Sequence, residues 1–338
     1  MATKKNQKHI VCIGGGTGTF VVLRGLKHYP YTLSAIVTMS DSGGSNRRIR
    51  DEFGLLPTSD IRQCLVALSD ENGGGVGLLR KLFMYRFEKG AGIAGMTFGN
   101  LFMAALTDIV GSQEEAIRKT GKVLNIKGSV IPVTLSNTNL YATYQDGHTV
   151  TEEHLIDEPS HDGRMPITDV YLKPNAVPNP EAISAIQQAD LIVIGPGDLY
   201  TSVLPNLLVP GIPQALKKTK AHIVYVMNLM TKFGQTYNYK ASDHLHVLEK
   251  YVGRNIDYVV VNTGPLSPKA LRIYAKYDEA PVENDLSAAS YYTIIRANLV
   301  SKMLYEKSSS DQLIRSLIRH DSNKLSSILV SLVERGSV

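Results

Sequence analysis

The chain has 338 residues, 43% of them hydrophobic and 20% charged, with 36 basic side chains against 31 acidic ones. That composition supports a sizeable core and argues against disorder. The net charge of +5 is too mild and too scattered for a nucleic-acid surface, which needs a basic stripe with aromatic platforms, but it suits a small anionic ligand.

Residues 1–8, carrying Lys4, Lys5 and Lys8, read as a disordered basic tail. His9 to Ile13 is a continuous apolar run of the kind found in buried parallel strands. It runs into Gly14-Gly15-Gly16-Thr17-Gly18, and a helix is expected from about Phe20 to His28. Leu33 to Met39 is a second strand. Residues 40–57 read as a long polar loop. Helices are expected over Asp60–Leu68 with Ser59 as N-cap, over Leu78–Phe87, over Asn100–Ile109, and from the capping box Ser112-Gln113-Glu114-Glu115 to about Leu124. Residues 128–172 form a β-rich insertion, with strands over Ser129–Thr134, Leu140–Gln145, Thr149–Glu152 and Thr168–Leu172. Asp146-Gly147 is its hairpin turn.

Beyond the insertion, strands and helices alternate again. A helix opens at Pro180, followed by the strand Leu191–Ile194, a helix Ile212–Lys218 and the strand His222–Met227. Ser242 is read as capping a helix to Tyr251, with His244 and His246 exposed on it. Asp257–Val261 and Thr293–Val300 are strands, with a helix from Pro268 to Tyr277 between them. Asp321 or Ser322 caps a last helix, 322–334. Alternation of this kind predicts an α/β fold, a Rossmann-like doubly wound and mainly parallel sheet in a single domain over 9–338. Cys12 and Cys64 both fall in apolar surroundings and read as buried, unpaired thiols of a reducing compartment. No apolar run approaches the ~20 residues of a membrane helix, so a cytoplasmic protein without membrane insertion is expected. Oligomeric state and protein partners stay open.

Three turns at strand ends carry the chemistry. Gly14 to Gly18 lies between a strand and a helix, where bare backbone and unpaired helix N–H groups suit a phosphate. It is not a P-loop, because no lysine follows, and it is not a dinucleotide fingerprint, because the third glycine position is Thr19. The second turn, Asp41-Ser42-Gly43-Gly44-Ser45, follows the second strand; Asp41 suits a ribose hydroxyl or a divalent ion. The third is Gly195-Pro196-Gly197-Asp198-Leu199-Tyr200-Thr201-Ser202, from which Asp198, Tyr200, Thr201 and Ser202 offer a carboxylate and three hydroxyls. In a doubly wound sheet such loops face the ligand crevice. Asn100, Asn228, Met230, Thr231 and Arg319 complete the expected site, with Arg319 as a diphosphate clamp. No nucleophile–base pair is readable, and catalytic residues stay unassigned.

Taken together and in order, these turns resemble the YvcK branch of the CofD-like family, the gluconeogenesis factors. Asp60-Ile61-Arg62-Gln63, Gly99-Asn100, Asn228-Leu229-Met230-Thr231 and Arg319-His320-Asp321 carry the resemblance as well, and it spans nearly the whole chain. It implies a Rossmann-like fold and a nucleotide-sugar ligand such as UDP-N-acetylglucosamine. It further implies a cytoplasmic bacterial protein needed for cell shape and wall growth on gluconeogenic carbon, regulatory rather than catalytic. The related 2-phospho-L-lactate transferase instead implies a magnesium-dependent transferase of phosphorus-containing groups, with Asp41 and Asp198 on the metal. The chain departs from the family at Ser42, where a second aspartate is common, and at Lys232-Phe233-Gly234-Gln235, where acidic residues are common.

Overall fold

A computed structural model describes residues 7–71, 74–288, 291–303 and 316–335. Ten strands run in chain order: β1 His9–Gly14, β2 Thr32–Val37, β3 Ser129–Pro132, β4 Asn139–Tyr144, β5 Thr149–Thr151, β6 Ile167–Lys173, β7 Leu191–Ile194, β8 His222–Val226, β9 Tyr258–Asn262 and β10 Thr293–Ala297. Seven form one parallel sheet in the order β10-β9-β8-β7-β1-β2-β3. Three form a small antiparallel sheet, β5-β4-β6.

The apolar strand runs follow from burial on both faces. Side chains alternate across a strand, so Val11 and Ile13 of β1 enter one core while Ile10 and Cys12 enter the other. The first core contains the helices Pro180–Gln188, Ile212–Lys218 and Ala241–Val252, together with one face of the small sheet. The second contains the helices Gly16–Leu26, Ser59–Leu68 and Ser322–Arg335. Helices on both faces make the sheet doubly wound.

The structure corrects several expected elements. β3 pairs with β2 and is the edge of the main sheet, so the insertion proper begins at β4. Residues Gly44–Phe53, read as loop, form a helix. His244 is fully buried and only His246 is exposed, because the Ala241–Val252 helix turns His244 toward Tyr225. Ser242 does not cap that helix; its hydroxyl donates to Asp285. Of the expected tail, residues 1–6 lie outside the described residues, while Lys8 pairs with Asp190 at 3.0 Å. Both cysteines are free and buried. Among the described residues, no helix is long and apolar enough to cross a membrane.

Candidate functional site

β1 and β7 are neighbours, and the sheet grows outward from them in opposite directions. Their carboxyl ends therefore form the topological switch point, where the loops part and leave a crevice. A cleft of ≈330 Å³ opens there.

Two helix N-termini form part of its lining. The helix Gly16–Leu26 starts from Gly15, and the helix Gly44–Phe53 starts from Gly43; neither has a side-chain cap. Their first N–H groups lack intrahelical partners and carry the positive end of the helix dipole. Gly16 has φ +60°, a left-handed conformation that glycine adopts without strain. Gly18 serves a different purpose: a Cβ there would lie 1.9 Å from the Pro196 carbonyl oxygen. Its bare backbone lets the first helix pack against the loop after β7. Gly15 abuts Asp60 in the same way, with a Cβ position 2.2 Å from Oδ2.

The second loop is fixed by its own side chains. Asp41 Oδ1 accepts from the Gly43 N–H at 2.9 Å. Ser42 turns away from the cleft toward the insertion. Its N–H donates to Glu153 Oε2 at 3.2 Å, and its hydroxyl accepts from the His154 N–H at 3.1 Å and meets His154 Nδ1 at 3.2 Å. The short helix Glu153–Asp157 is thereby held against the cleft.

That helix brings carboxylates that sequence reasoning missed. Seven carboxylates line the cleft, against three arginines and Lys232. Burial pushes Glu153 well up, helped by Asp41 and Asp157. Burial also raises Asp157 to about 7, while the nearby Lys232 ammonium opposes the rise. Lys232 Nζ lies 3.8 Å from both Asp157 and Glu279. Its own burial favours the neutral form, but Asp157, Asp198 and Glu279 more than offset this and hold the ammonium above its ordinary value. Gln235 Nε2 donates to Asp157 Oδ1 at 2.9 Å. A five-residue helix inside a β-rich insertion leaves no periodic signal, so only the fold shows Glu153, His154, Asp157 and Glu158 in the cleft.

Most of the expected residues meet in this one cleft. Gly15, Gly16, Thr17 and Gly18 line it, as do Asp41, Gly43, Gly44 and Ser45. So do Pro196, Gly197, Asp198, Thr201 and Ser202, and also Asn228, Met230, Thr231 and Arg319. Asp198 precedes a helical turn but makes no side-chain cap bond. Five residues fall elsewhere. Tyr200 is 2% exposed and bonds Tyr239 within the core. Asn100 is fully buried behind the wall, where its amide donates to Ser45 and Ser59 and accepts from Arg62. Gly14 and Gly195 sit at the strand ends beneath the cleft, and Ser42 serves the insertion. Asp60, Gln63, Lys232, Glu279 and His320 line the cleft without having been counted in it. Asp60, Gln63 and His320 lay in motifs already singled out, so the signal was present for them.

Among the described residues, no group of three or more His, Cys, Asp or Glu side chains is arranged to hold a metal ion. Magnesium held by one or two carboxylates and the ligand's own phosphates needs no such group. Asp41 and Asp198 both line the cleft and are the carboxylates available for it on the sequence-predicted loops.

Comparison with known proteins assigns the chain to a family. Residues 10–300 match the family described as "2-phospho-L-lactate transferase CofD". The chain is 41% identical over 329 residues to the "Gluconeogenesis factor" of Bacillus subtilis, covering 96% of this chain and 98% of that one. It is 43% identical over 293 residues to the "Gluconeogenesis factor" of Halalkalibacterium halodurans, covering 85% and 88%. A crystal structure of a Bacillus halodurans protein superposes with a TM-score of 0.86 at 39% identity, over 96% of this chain and 99% of that one. The chain therefore belongs to the CofD family, in its gluconeogenesis-factor branch.

Proposed function

We propose that the protein binds a nucleoside diphosphate sugar, such as UDP-N-acetylglucosamine, in the switch-point cleft. In this reading it is a cytoplasmic regulator of carbon metabolism and cell-wall growth under gluconeogenic conditions, not a catalyst. One observation carries the binding claim: two uncapped helix N-termini open into one cleft of ≈330 Å³. Such ends are ready-made sites for phosphate oxygens. The carboxylates that line the same cleft suit a group rich in hydroxyl donors, which the sugar supplies.

Thermal and urea unfolding with UDP-N-acetylglucosamine, UDP, GDP and NAD tests this reading. A bound ligand at 100 times its Kd adds about 2.7 kcal/mol to stability. The UDP-sugar should give the largest gain and remain intact on incubation. No gain from any of the four compounds sinks the proposal.

The second reading is a phosphotransferase, favoured by the carboxylate Asp157 raised to about 7 beside Lys232. Groups poised near neutrality are what proton transfer needs. Asp41 and Asp198 would hold the magnesium ion, which would offset charge on the phosphates. Magnesium-dependent release of a nucleoside monophosphate from a diphosphate-linked donor would establish it in place of the first.

A further inference from the structure

Lys232 puts an ammonium group into an acidic cleft, and the chain around it is built to hold it there. The residue before it is clamped to a distant segment. The Thr231 N–H donates to the Ala280 carbonyl at 2.7 Å, and the Ala280 N–H donates back to the Thr231 hydroxyl at 2.9 Å. Lys232 itself opens a turn, in which its N–H donates to the Thr236 hydroxyl at 2.9 Å and its carbonyl accepts from the Thr236 N–H at 2.8 Å. With the backbone fixed on both sides, the side chain reaches Asp157 and Glu279 and lines the cleft.

The two carboxylates hold the charge without using up its donors. Nζ lies 3.8 Å from Asp157 Oδ1 and 3.8 Å from Glu279 Oε1, beyond hydrogen-bond reach. Asp157 Oδ1 accepts instead from Gln235 Nε2 at 2.9 Å. Among the described residues Nζ makes no hydrogen bond, yet it is not sealed from solvent, and the side chain is 16% exposed. Its three N–H groups are therefore open to the cleft. Contacts run from here to the first helix. Gln235, which holds Asp157, also donates to the Thr201 hydroxyl at 3.2 Å. The hydroxyl of the next residue, Ser202, lies 3.9 Å from where a Cβ on Gly16 would stand, and Gly16 opens the helix Gly16–Leu26. Gly16, Ser202, Thr201, Asp157 and Lys232 all line the one cleft.

We infer that Lys232 is a diphosphate-binding cation of the cleft, a tethered ammonium that lets the nucleotide sugar bind without a metal ion. The inference rests on the reading of the cleft as a nucleotide-sugar site. Seven carboxylates line that cleft, and they repel a diphosphate. A divalent ion shared between carboxylates and phosphate oxygens is one remedy. An ammonium fixed in position by two carboxylates, with its N–H groups still available, is another. Asp157 and Glu279 set where the charge sits, and phosphate oxygens take the donors. Lysine serves phosphate as a compact point charge and needs no paired geometry to do so.

Calorimetric titration of the full-length protein with UDP-N-acetylglucosamine, UDP and inorganic pyrophosphate tests it, at pH 8, above the value of about 7 to which burial raises Asp157. In EDTA, Lys232→Met should weaken all three complexes by about tenfold or more, and Lys232→Arg should recover part of the loss. Deleting a positive charge also weakens anion binding through the field alone. The double variant Lys232→Met, Asp157→Asn separates the two effects, because it restores the net charge of the group and spares Asp157 an unpaired buried charge. A double variant that stays about tenfold weak supports direct contact. Parent-strength binding in either variant overturns the inference, as does a loss confined to UDP-N-acetylglucosamine with pyrophosphate unchanged. Should the variants fail to fold, the unaltered protein still decides: it should bind UDP-N-acetylglucosamine equally well in EDTA and in magnesium. A complex that needs magnesium overturns the inference while the cleft reading stands. If the unaltered protein binds none of the three probes, with or without magnesium, the cleft reading has failed and takes the inference with it.

Discussion

A methyl group on Gly18 would sit 1.9 Å from the Pro196 carbonyl oxygen and 2.4 Å from its carbon. Both atoms are backbone, so relief requires the first helix to move off the loop after β7. Gly18→Ala should therefore cost about 1–3 kcal/mol in urea unfolding. Gly15→Ala meets a side-chain tip, Asp60 Oδ2 at 2.2 Å, which can rotate away. It should cost less stability and more ligand affinity. Equal unfolding midpoints for Gly18→Ala and the parent protein would refute the packing role. The glycine string was legible from sequence as a strand–turn–helix phosphate motif. Which glycine faces ligand and which faces protein was not, because Pro196 and Asp60 come from distant parts of the chain. The same limit put Tyr200 and Asn100 in the expected site. A phenol and an amide next to a glycine turn carry no local mark of burial, and only packing sends Tyr200 to Tyr239 and Asn100 to Ser45 and Ser59.

Among the elements, those buried on two faces were the readable ones. β1, β2, β7, β8 and β9 are short apolar runs because both sides of each meet a core. The helix Gly44–Phe53 was unreadable because its one buried apolar residue is Ile49, too few for a period. Its charged face is laced by Arg47–Asp51 and Arg48–Glu52 pairs, and the Asn46 side-chain oxygen Oδ1 accepts from the N–H groups of both Thr58 and Ser59. The insertion was recognised as β-rich, but its role was not, since nothing local says that Glu153–Asp157 docks on Ser42. That docking is testable. Ser42→Ala removes the hydroxyl that takes the His154 N–H and meets the imidazole. The expected cost is about 1 kcal/mol of stability, with faster amide hydrogen exchange confined to 153–157 and weaker UDP-sugar binding. Unchanged exchange in that segment would mean that the serine does not hold it.

The whole molecule gathers these parts because parallel strands place every βα loop on one edge of the sheet, so the acidic insertion and the helix ends share one crevice. Buried titratable groups in the crevice and in the core beside it tie stability to pH in two opposed ways. Burial takes His244 and His320 each down to about 4. As pH falls from 6.5 toward 4 the unfolded chain takes up protons that the folded one refuses, so stability is lost on acidification. Burial raises Asp157 to about 7 despite Lys232. Here the folded state takes the proton first, so stability is gained as pH falls from about 7 toward 3.8 and lost as it rises through the same range. The upper bound on that gain is about 4 kcal/mol. The two windows overlap, and the parent protein should show a shallow pH profile between pH 7 and 5. Asp157→Asn removes one contributor to the carboxylate side of the balance and leaves the raised Glu153 and Glu279 and the two histidines in both proteins. Urea unfolding without ligand should then show a loss between pH 7 and pH 5 that exceeds the parent's by on the order of 2 kcal/mol. Parallel profiles for the two proteins would mean that Asp157 is ionised across the range, with Lys232 winning over burial.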